Sequence, residues 1–362
     1  MPGPRRPIEI REFDRPDVPH GAALLRTVRS EVCGTDVHLW HGRLSGVPYP
    51  IIPGHVSAGI LETVHGSLRG IDGAELREGD RAVFFDVHRA CGRCRPCVVH
   101  RTPTRCTARR VYGITDSAEE GLFGGWSQAV YLEPGVHTAR LPDSVTFDQY
   151  IGGGCGLLTA VHIIERAGLR AGESILVQGT GAVGLSTIAL ARVGGASAIF
   201  AIGAPADRLI LAKRLGADRV FDLTSTTAGE RLDRVRALTH GEGVDVVVEA
   251  AGSARAFEEG PFLARDGGRY VVAGHYTNAG PSSVNAHEAI NRKHLDIRGC
   301  WGSEPRHFLR ALTLLERYGL TIPFEAIGGR TYPLEQLDAA LADAEAMRIT
   351  KALVDPWASA RG

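Results

Sequence analysis

The chain has 362 residues, 44% hydrophobic and 23% charged, with 41 basic residues balanced by 41 acidic ones. That length allows about two domains, and zero net charge excludes the basic or acidic excess of a nucleic-acid or membrane-surface binder. Seven cysteines in a chain this large, with no secretory pattern ahead of them, are expected to stay reduced in the cytoplasm, which favours metal or catalytic thiolates over disulfides.

The N-terminal MPGPRRPIEI is basic but lacks the apolar run of a secretory signal. Up to about residue 150 the chain is turn-rich, with short β-like runs such as RAVFFDV and SQAVYLEP. EVCGTDVHLWHG supplies Cys33, Thr35, Asp36, His38 and His41, and PIIPGHVSAG supplies His55. CGRCRPCVVHRTPTRC places Cys91, Cys94, Cys97 and Cys106 within sixteen residues, a pattern open to disulfide, redox or metal readings. His88 and His100 beside it read as loop residues. GGGCGLLTA adds Cys155. Cys33, His55 and Cys155 are donors that zinc accepts. They lie far apart, so spacing alone does not join them, and each by itself reads as a buried structural residue.

The middle of the chain changes character. Six short apolar runs follow one another: Ser174–Gly179, Ala198–Gly203, Asp218–Leu223, Val244–Ala250, Arg269–Gly274 and Leu295–Cys300. Amphipathic segments such as ADRLILAKRLGA and GERLDRVRALTHG separate most of them. Apolar strands alternating with helices predict a parallel sheet covered on both faces. The stretch Ile175–Ala204 is long enough for a membrane span, but its glycines and Arg192 argue for strand, turn, helix and strand. From about Arg306 the chain returns to helix and loop. An α/β domain over 157–294 is thus expected as an insert within a mostly β domain formed by 1–156 and 295–362.

VQGTGAVG carries Gly179, Gly181 and Gly184 in the spacing of a dinucleotide loop, after a predicted strand and at the start of a predicted helix. Gly179 allows the tight turn, Gly181 the approach of a pyrophosphate, and Gly184 close helix–strand packing. Helix N–H groups face the phosphates, so Thr180, Ala182 and Val183 join the cofactor-binding set. The acid that would bind a ribose 2′-hydroxyl is expected at position 203, which is Gly203; Arg208 is the nearby cation. NAD and NADP both remain open.

In order along the chain, CGTDVH, PGH, GDRAV, the four-cysteine segment, GGWSQAVYLEP, GCGLLTA, GTGAVG, RLILAKRLGAD and VDVVVEAAG resemble the zinc-dependent medium-chain dehydrogenases/reductases. That class contains alcohol, sorbitol, threonine and butanediol dehydrogenases, and the resemblance covers nearly the whole chain. It implies an α/β protein: a GroES-like, mostly β catalytic domain with an inserted Rossmann domain, a doubly wound parallel sheet of six strands. It implies two zinc ions per chain. Cys33, His55 and Cys155 look like ligands of catalytic zinc; Cys91, Cys94, Cys97 and Cys106 look like those of structural zinc, on a lobe at about 88–110. Thr35 looks like the hydroxyl that bonds the substrate oxygen, Asp36 like the carboxylate that orients His55, and His38 like the proton relay to water. Thr159 and Val183 match positions at the nicotinamide.

The implied activity is hydride transfer between an alcohol, secondary or polyol, and NAD or NADP. The implied setting is a cytoplasmic homodimer or homotetramer with a small-molecule substrate and no nucleic-acid or membrane partner. Two rivals are a zinc-free enone or quinone reductase and a non-catalytic nucleotide-binding or redox-sensing protein. Two positions depart from the family pattern. Val56 follows the zinc histidine where a glutamate is usual, which predicts a less mobile zinc and a more apolar floor. Eight residues separate Cys97 from Cys106, one more than usual.

Overall fold

The structure, a computed structural model, describes residues 1–359. The strands in chain order are β1 (Ala23–Val32), β2 (Ser57–Val64), β3 (Leu68–Arg69), β4 (Glu75–Leu76) and β5 (Arg81–Phe84). Then come β6 (Ala129–Leu132), β7 (Thr138–Arg140), β8 (Ser174–Gln178), β9 (Ala198–Gly203) and β10 (Arg219–Asp222). The last are β11 (Val244–Glu249), β12 (Ala264–Val272), β13 (Asp296–Gly299), β14 (Arg330–Pro333) and β15 (Ala352–Asp355). The chain forms two compact units: Met1–Gly154 with Ser303–Gly362, and Cys155–Gly302.

In the first unit a seven-stranded sheet runs in the order β14-β15-β1-β2-β5-β7, with β6 paired to β1. β1 is its hub, antiparallel to β2, β6 and β15. Its last three residues, Ser30, Glu31 and Val32, are all buried, although one of them is charged. They face Val354, Leu353 and Ala352 of β15. Pairing therefore brings Lys351, the residue ahead of β15, to the end of β1. Leu25, Leu61, Phe84, Tyr112, Phe123 and Val130 fill the core beside this sheet, each large apolar side chain contributing about 1.5–3 kcal/mol on burial.

The second unit is the six-stranded sheet β10-β9-β8-β11-β12-β13, parallel throughout. Runs such as SILVQ in β8 and VDVVVE in β11 are almost wholly buried because helices cover both faces. The strand order reverses between β8 and β11, the switch point at whose carboxyl edge a doubly wound sheet binds its ligand. This is the doubly wound α/β fold read from the six apolar runs. One helix escaped that reading: Phe147–Ala167, whose glycine run hides it and whose Gly154 breaks it at φ 47°, ψ −145°. Among the described residues no helix is long and apolar enough to cross a membrane.

Candidate metal centres and dinucleotide site

Cys33 leaves β1 still extended, at φ −130° and ψ −174°, and starts the helix Gly34–Trp40. Strand alternation therefore continues through it, and Glu31 and Cys33, two residues apart, project from one face. His55 arrives on the next segment. Gly54 before it has φ +88°, and a Cβ there would lie 2.6 Å from both Ser30 Oγ and Trp126 Cδ1, so only glycine lets the chain pass. His55 is 3% exposed. Its Nε2 lies 3.8 Å from Cys33 Sγ and 3.3 Å from Glu31 Oε1, and these donor atoms all lie within 4.8 Å of one another.

Glu31 is a candidate site residue that the sequence did not single out. It is fully buried, and Oε2 accepts a hydrogen bond from Lys351 Nζ at 2.6 Å. Lys351 is also fully buried and donates to the carbonyls of Ile151 and Gly153 at 3.2 and 3.4 Å. Gly154 follows directly: a Cβ there would lie 2.1 Å from Glu31 Oε2 and 2.4 Å from Lys351 Nζ. Cys155 is the next residue in the chain. Val56 is buried, but the floor expected to be apolar carries this ion pair instead. An acid placed two residues before the Cys33 motif, at a strand end, was the available signal.

The charge balance of this pocket asks for a cation. Burial, and then Cys33, push the Asp36 carboxyl well above the usual carboxylate range. Burial also raises Glu31, with the Lys351 ammonium opposing it. Burial alone would lower His55, but Cys33, Glu31 and Asp36 together hold it well above the usual histidine value. A divalent metal among soft and hard donors relieves this excess of acid. Asp36 accepts from the Cys33 N–H at 2.8 Å. No hydrogen bond joins it to His55, whose Nδ1 is buried without a partner, as is Asp36 Oδ1.

Thr35 and His38 lie on the same short helix, both partly exposed. Burial, then the Arg43 charge, lower the His38 pKa, and Arg43 Nη1 lies 3.4 Å from its Nδ1. Trp40 Nε1 donates to the Arg6 carbonyl, and His41 Nε2 meets Glu345 Oε1 at 2.6 Å; both rings tie the helix to other segments.

The four-cysteine lobe closes locally. The Cys91 N–H donates to Cys106 Sγ at 3.3 Å, the Cys94 N–H to Cys91 Sγ at 3.4 Å, and Cys94 and Cys97 sulfurs lie 3.4 Å apart. All four sulfurs fall within 4.8 Å of one another, a spacing that suits tetrahedral Zn–S bonds of about 2.3 Å. The longer Cys97–Cys106 gap is absorbed by a helical turn over Pro103–Arg105, with the Cys106 N–H donating to the Pro103 carbonyl. Backbone N–H groups of Arg93 and Cys94 pull the Cys91 thiol down to about 6, while desolvation and then Cys94 push Cys97 up to about 12. Several thiolates cannot share this space without a cation. His88 lies in a loop as expected, but it is buried there: Nδ1 meets Glu133 Oε2 at 2.6 Å and Nε2 meets Asp116 Oδ2 at 3.0 Å. Both acids lie outside the cysteine segment and anchor its base. Cys300 is a buried thiol that desolvation raises to about 12.

In the second unit Gly179 ends β8 with φ +108°, and its missing Cβ would lie 2.7 Å from the Ala250 carbonyl oxygen. A Cβ on Gly184 would lie 1.9 Å from the Gly179 oxygen, whereas Gly181 faces open space. Ala182, Val183 and Gly184 form the first turn of the helix Ala182–Val193, so its N–H groups open toward that space. Glu249, at the end of β11, accepts from the Ala251 N–H at 2.8 Å and the Gly274 N–H at 3.1 Å, fixing two loops at the switch point. Gly203 ends β9, where a Cβ would lie 2.2 Å from Thr180 Oγ1. Arg208 is half-buried, and desolvation lowers its pKa. Thr159 is half-buried on the helix that follows Gly154.

Residues 19–143 match the alcohol dehydrogenase GroES-like domain and residues 182–317 the zinc-binding dehydrogenase family. A 5-exo-hydroxycamphor dehydrogenase of Pseudomonas putida is 30% identical over 96% of this chain and 95% of its own length. D-xylulose reductase A of Aspergillus niger is 30% identical over 74% of this chain and 72% of its own. Among solved structures, an alcohol dehydrogenase of Thermotoga maritima superposes with a TM-score of 0.92 at 32% identity, covering 97% of this chain and 96% of the other.

Proposed function

The chain belongs to the zinc-dependent medium-chain dehydrogenases/reductases and is a zinc- and NAD(P)-dependent alcohol oxidoreductase, and we propose that its substrate is a secondary alcohol or polyol. The observation that carries the reading is the buried, acid-rich convergence of Cys33, His55 and Glu31 beside a helix bearing Thr35 and His38. The names of the relatives support a secondary or polyhydric alcohol.

Cys33, His55 and Cys155 would hold the catalytic zinc, and the four lobe cysteines the structural one. The dinucleotide would bind to the second unit, Cys155–Gly302, at Gly179–Gly184, Gly203, Arg208 and Thr159. The first unit would carry the chemistry, its return to the chain falling at Ser303 rather than 295 because β13 belongs to the six-stranded sheet, in a cytoplasmic homodimer or homotetramer. Lewis acidity toward the alcohol oxygen is what zinc supplies when bound, and the nicotinamide is the hydride acceptor. The chain's residues handle the proton. The Thr35 hydroxyl accepts the alcohol O–H proton while passing its own to His38, which releases it to water. With a nicotinamide bound to accept the carbinol hydride, the products would be a ketone and one proton in solution. A lowered His38 pKa keeps that imidazole neutral and ready to accept.

Zinc per chain is measured on protein purified without added metal, followed by turnover on an alcohol panel with NAD and NADP. Two zinc ions and zinc-dependent turnover are expected. Turnover that survives complete zinc removal would overturn the reading in favour of a zinc-free reductase. Cofactor binding without turnover across the panel would favour a nucleotide sensor.

A further inference from the structure

We propose that Glu31 is a metal ligand of the catalytic centre, supplying from the strand ahead of Cys33 the carboxylate that Val56 does not. The proposal rests on the reading of Cys33, His55 and Cys155 as zinc donors and adds one residue to it.

Four observations carry it. The first is convergence. His55 Nε2 faces two acidic atoms at once, Cys33 Sγ at 3.8 Å and Glu31 Oε1 at 3.3 Å. The second is a division of labour within the carboxylate. Oε2 is held by Lys351 at 2.6 Å, while Oε1, equally buried, has no hydrogen-bond partner. The third is the space around the pair. Lys351 is pinned by two carbonyl oxygens, and Gly154 leaves no room for a side chain where Glu31 and Lys351 meet. The fourth is cost. A fully buried carboxylate and ammonium pay a desolvation penalty that an apolar pair would avoid. A cation bound at Oε1 gives that carboxylate a role that Lys351 alone does not.

Glu31 then fills the fourth position when no substrate is present and yields it to the alcohol oxygen. Lys351 stays on Oε2 and balances the carboxylate charge in both states. Zinc accepts this mixture, since carboxylate, imidazole and thiolate all serve it. The placement follows from β1 itself, because residues two apart on a strand share a face.

The test uses the full-length protein. A Cys33→Ser variant first establishes the site: the metal content should fall by one ion per chain, and no fall would overturn the underlying reading rather than Glu31's part in it. Cobalt(II) is then exchanged into the catalytic site of the parent, Glu31→Gln and Glu31→Gln/Lys351→Met. The double variant also removes the buried ammonium that the single change deprives of its carboxylate, so the question survives if Glu31→Gln folds poorly. The visible d–d bands are recorded without substrate or coenzyme, and zinc loss to a colorimetric chelator is timed. The bands should shift in both variants, and zinc should leave roughly tenfold faster or more, the scale seen when groups around a metal are removed. Bands of the double variant that superimpose on the parent's would overturn the proposal and leave Glu31 as the counter-ion of Lys351 alone.

Discussion

The two candidate metal centres of the first unit are built in opposite ways. The lobe takes all four donors from sixteen consecutive residues, three of them half-exposed, and a turn at Pro103–Arg105 brings the last one home. The buried centre takes Cys33 from the end of β1 and His55 from the approach to β2. Its charge is set by Glu31 and by Lys351, 320 residues later. Local spacing makes a closed cage that needs little from the rest of the fold. Long-range packing makes a pocket whose charge the whole sheet must balance. The lobe is thus suited to stability and the pocket to chemistry, where a position must open.

The sharpest way to break this contrast is to remove one sulfur from each centre. Cys33→Ser should lower kcat/KM by about a thousandfold or more, with one zinc lost and only a modest change in Tm, since the β1–β15 pairing and the Glu31–Lys351 pair still hold the pocket. Cys97→Ser should also cost one zinc, but its main effect should be on stability, about 2–4 kcal/mol by loss of a structural metal. Zinc content, Tm and kcat/KM measured together decide it. Two variants with the same profile would mean that both centres serve the same purpose.

The proton relay gives the next largest effect. His38→Ala should reduce kcat for alcohol oxidation about a hundredfold, within the usual range for a general base. Because burial and Arg43 lower the His38 pKa, the imidazole takes up its proton at a lower pH than an ordinary histidine, whose value is about 6.5. The acid limb of the parent's kcat profile should therefore fall below that value, with activity lost as pH drops and the ring protonates. In His38→Ala that limb should disappear. A limb that persists unchanged would assign the titration to another group.

His88 tests how independent the lobe is. Its ring bridges Asp116 and Glu133, two acids outside the cysteine segment. His88→Ala should cost about 2–3 kcal/mol, because it leaves Asp116, only 3% exposed, with one partner fewer. Burial would raise Asp116, but hydrogen bonds and charge from His88 and Arg110 outweigh it and hold the pKa below the usual carboxylate value. A depressed acid contributes stability that is complete above its unfolded pKa, about 3.9, and is lost as pH falls through the folded value. The difference in stability between parent and variant should accordingly shrink below about pH 4, as chemical denaturation at several pH values would show.

Legibility followed the same divide. The six parallel strands could be read because each is a continuous apolar run bounded by turn residues, and their edges moved little. β12 is the exception: it starts at Ala264, ahead of two glycines that look like a turn. The lobe cysteines and the glycine loop could be read because their geometry is local. Glu31, Lys351 and His88 could not be read. Each is a charged or polar residue buried by partners that are distant in sequence, and no local pattern marks such a pairing. The glycine run at 152–154 hid a helix for the same reason. Gly154 is glycine on two counts, the backbone at φ 47°, ψ −145° and the space taken by Glu31 and Lys351, and only the first is local to the chain.

The smallest predicted effect concerns a position where a local reading succeeded without its cause. The absence of an acid at Gly203 is visible from its distance after the glycine loop, but the reason lies in packing. A Cβ at 203 would lie 2.2, 2.5 and 2.9 Å from Thr180 Oγ1, Cγ2 and Cβ. A carboxylate at the end of β9 therefore requires the Thr180 side chain to shift. With Gly203 in place the strand end offers no carboxylate of its own against a 2′-phosphate, and half-buried Arg208 stands in the next helical turn. The kcat/KM values with NAD and NADP should then differ by less than about tenfold. Thr180→Gly/Gly203→Asp clears the space and installs the acid, and it should raise the preference for NAD by about tenfold or more, since a carboxylate bonds the ribose 2′-hydroxyl and repels phosphate. Gly203→Asp alone should weaken both cofactors together, because its Cβ displaces the loop before its charge can act. If the single variant alone switches preference, Thr180 yields more easily than its packing implies, and the missing acid reflects no constraint from the fold.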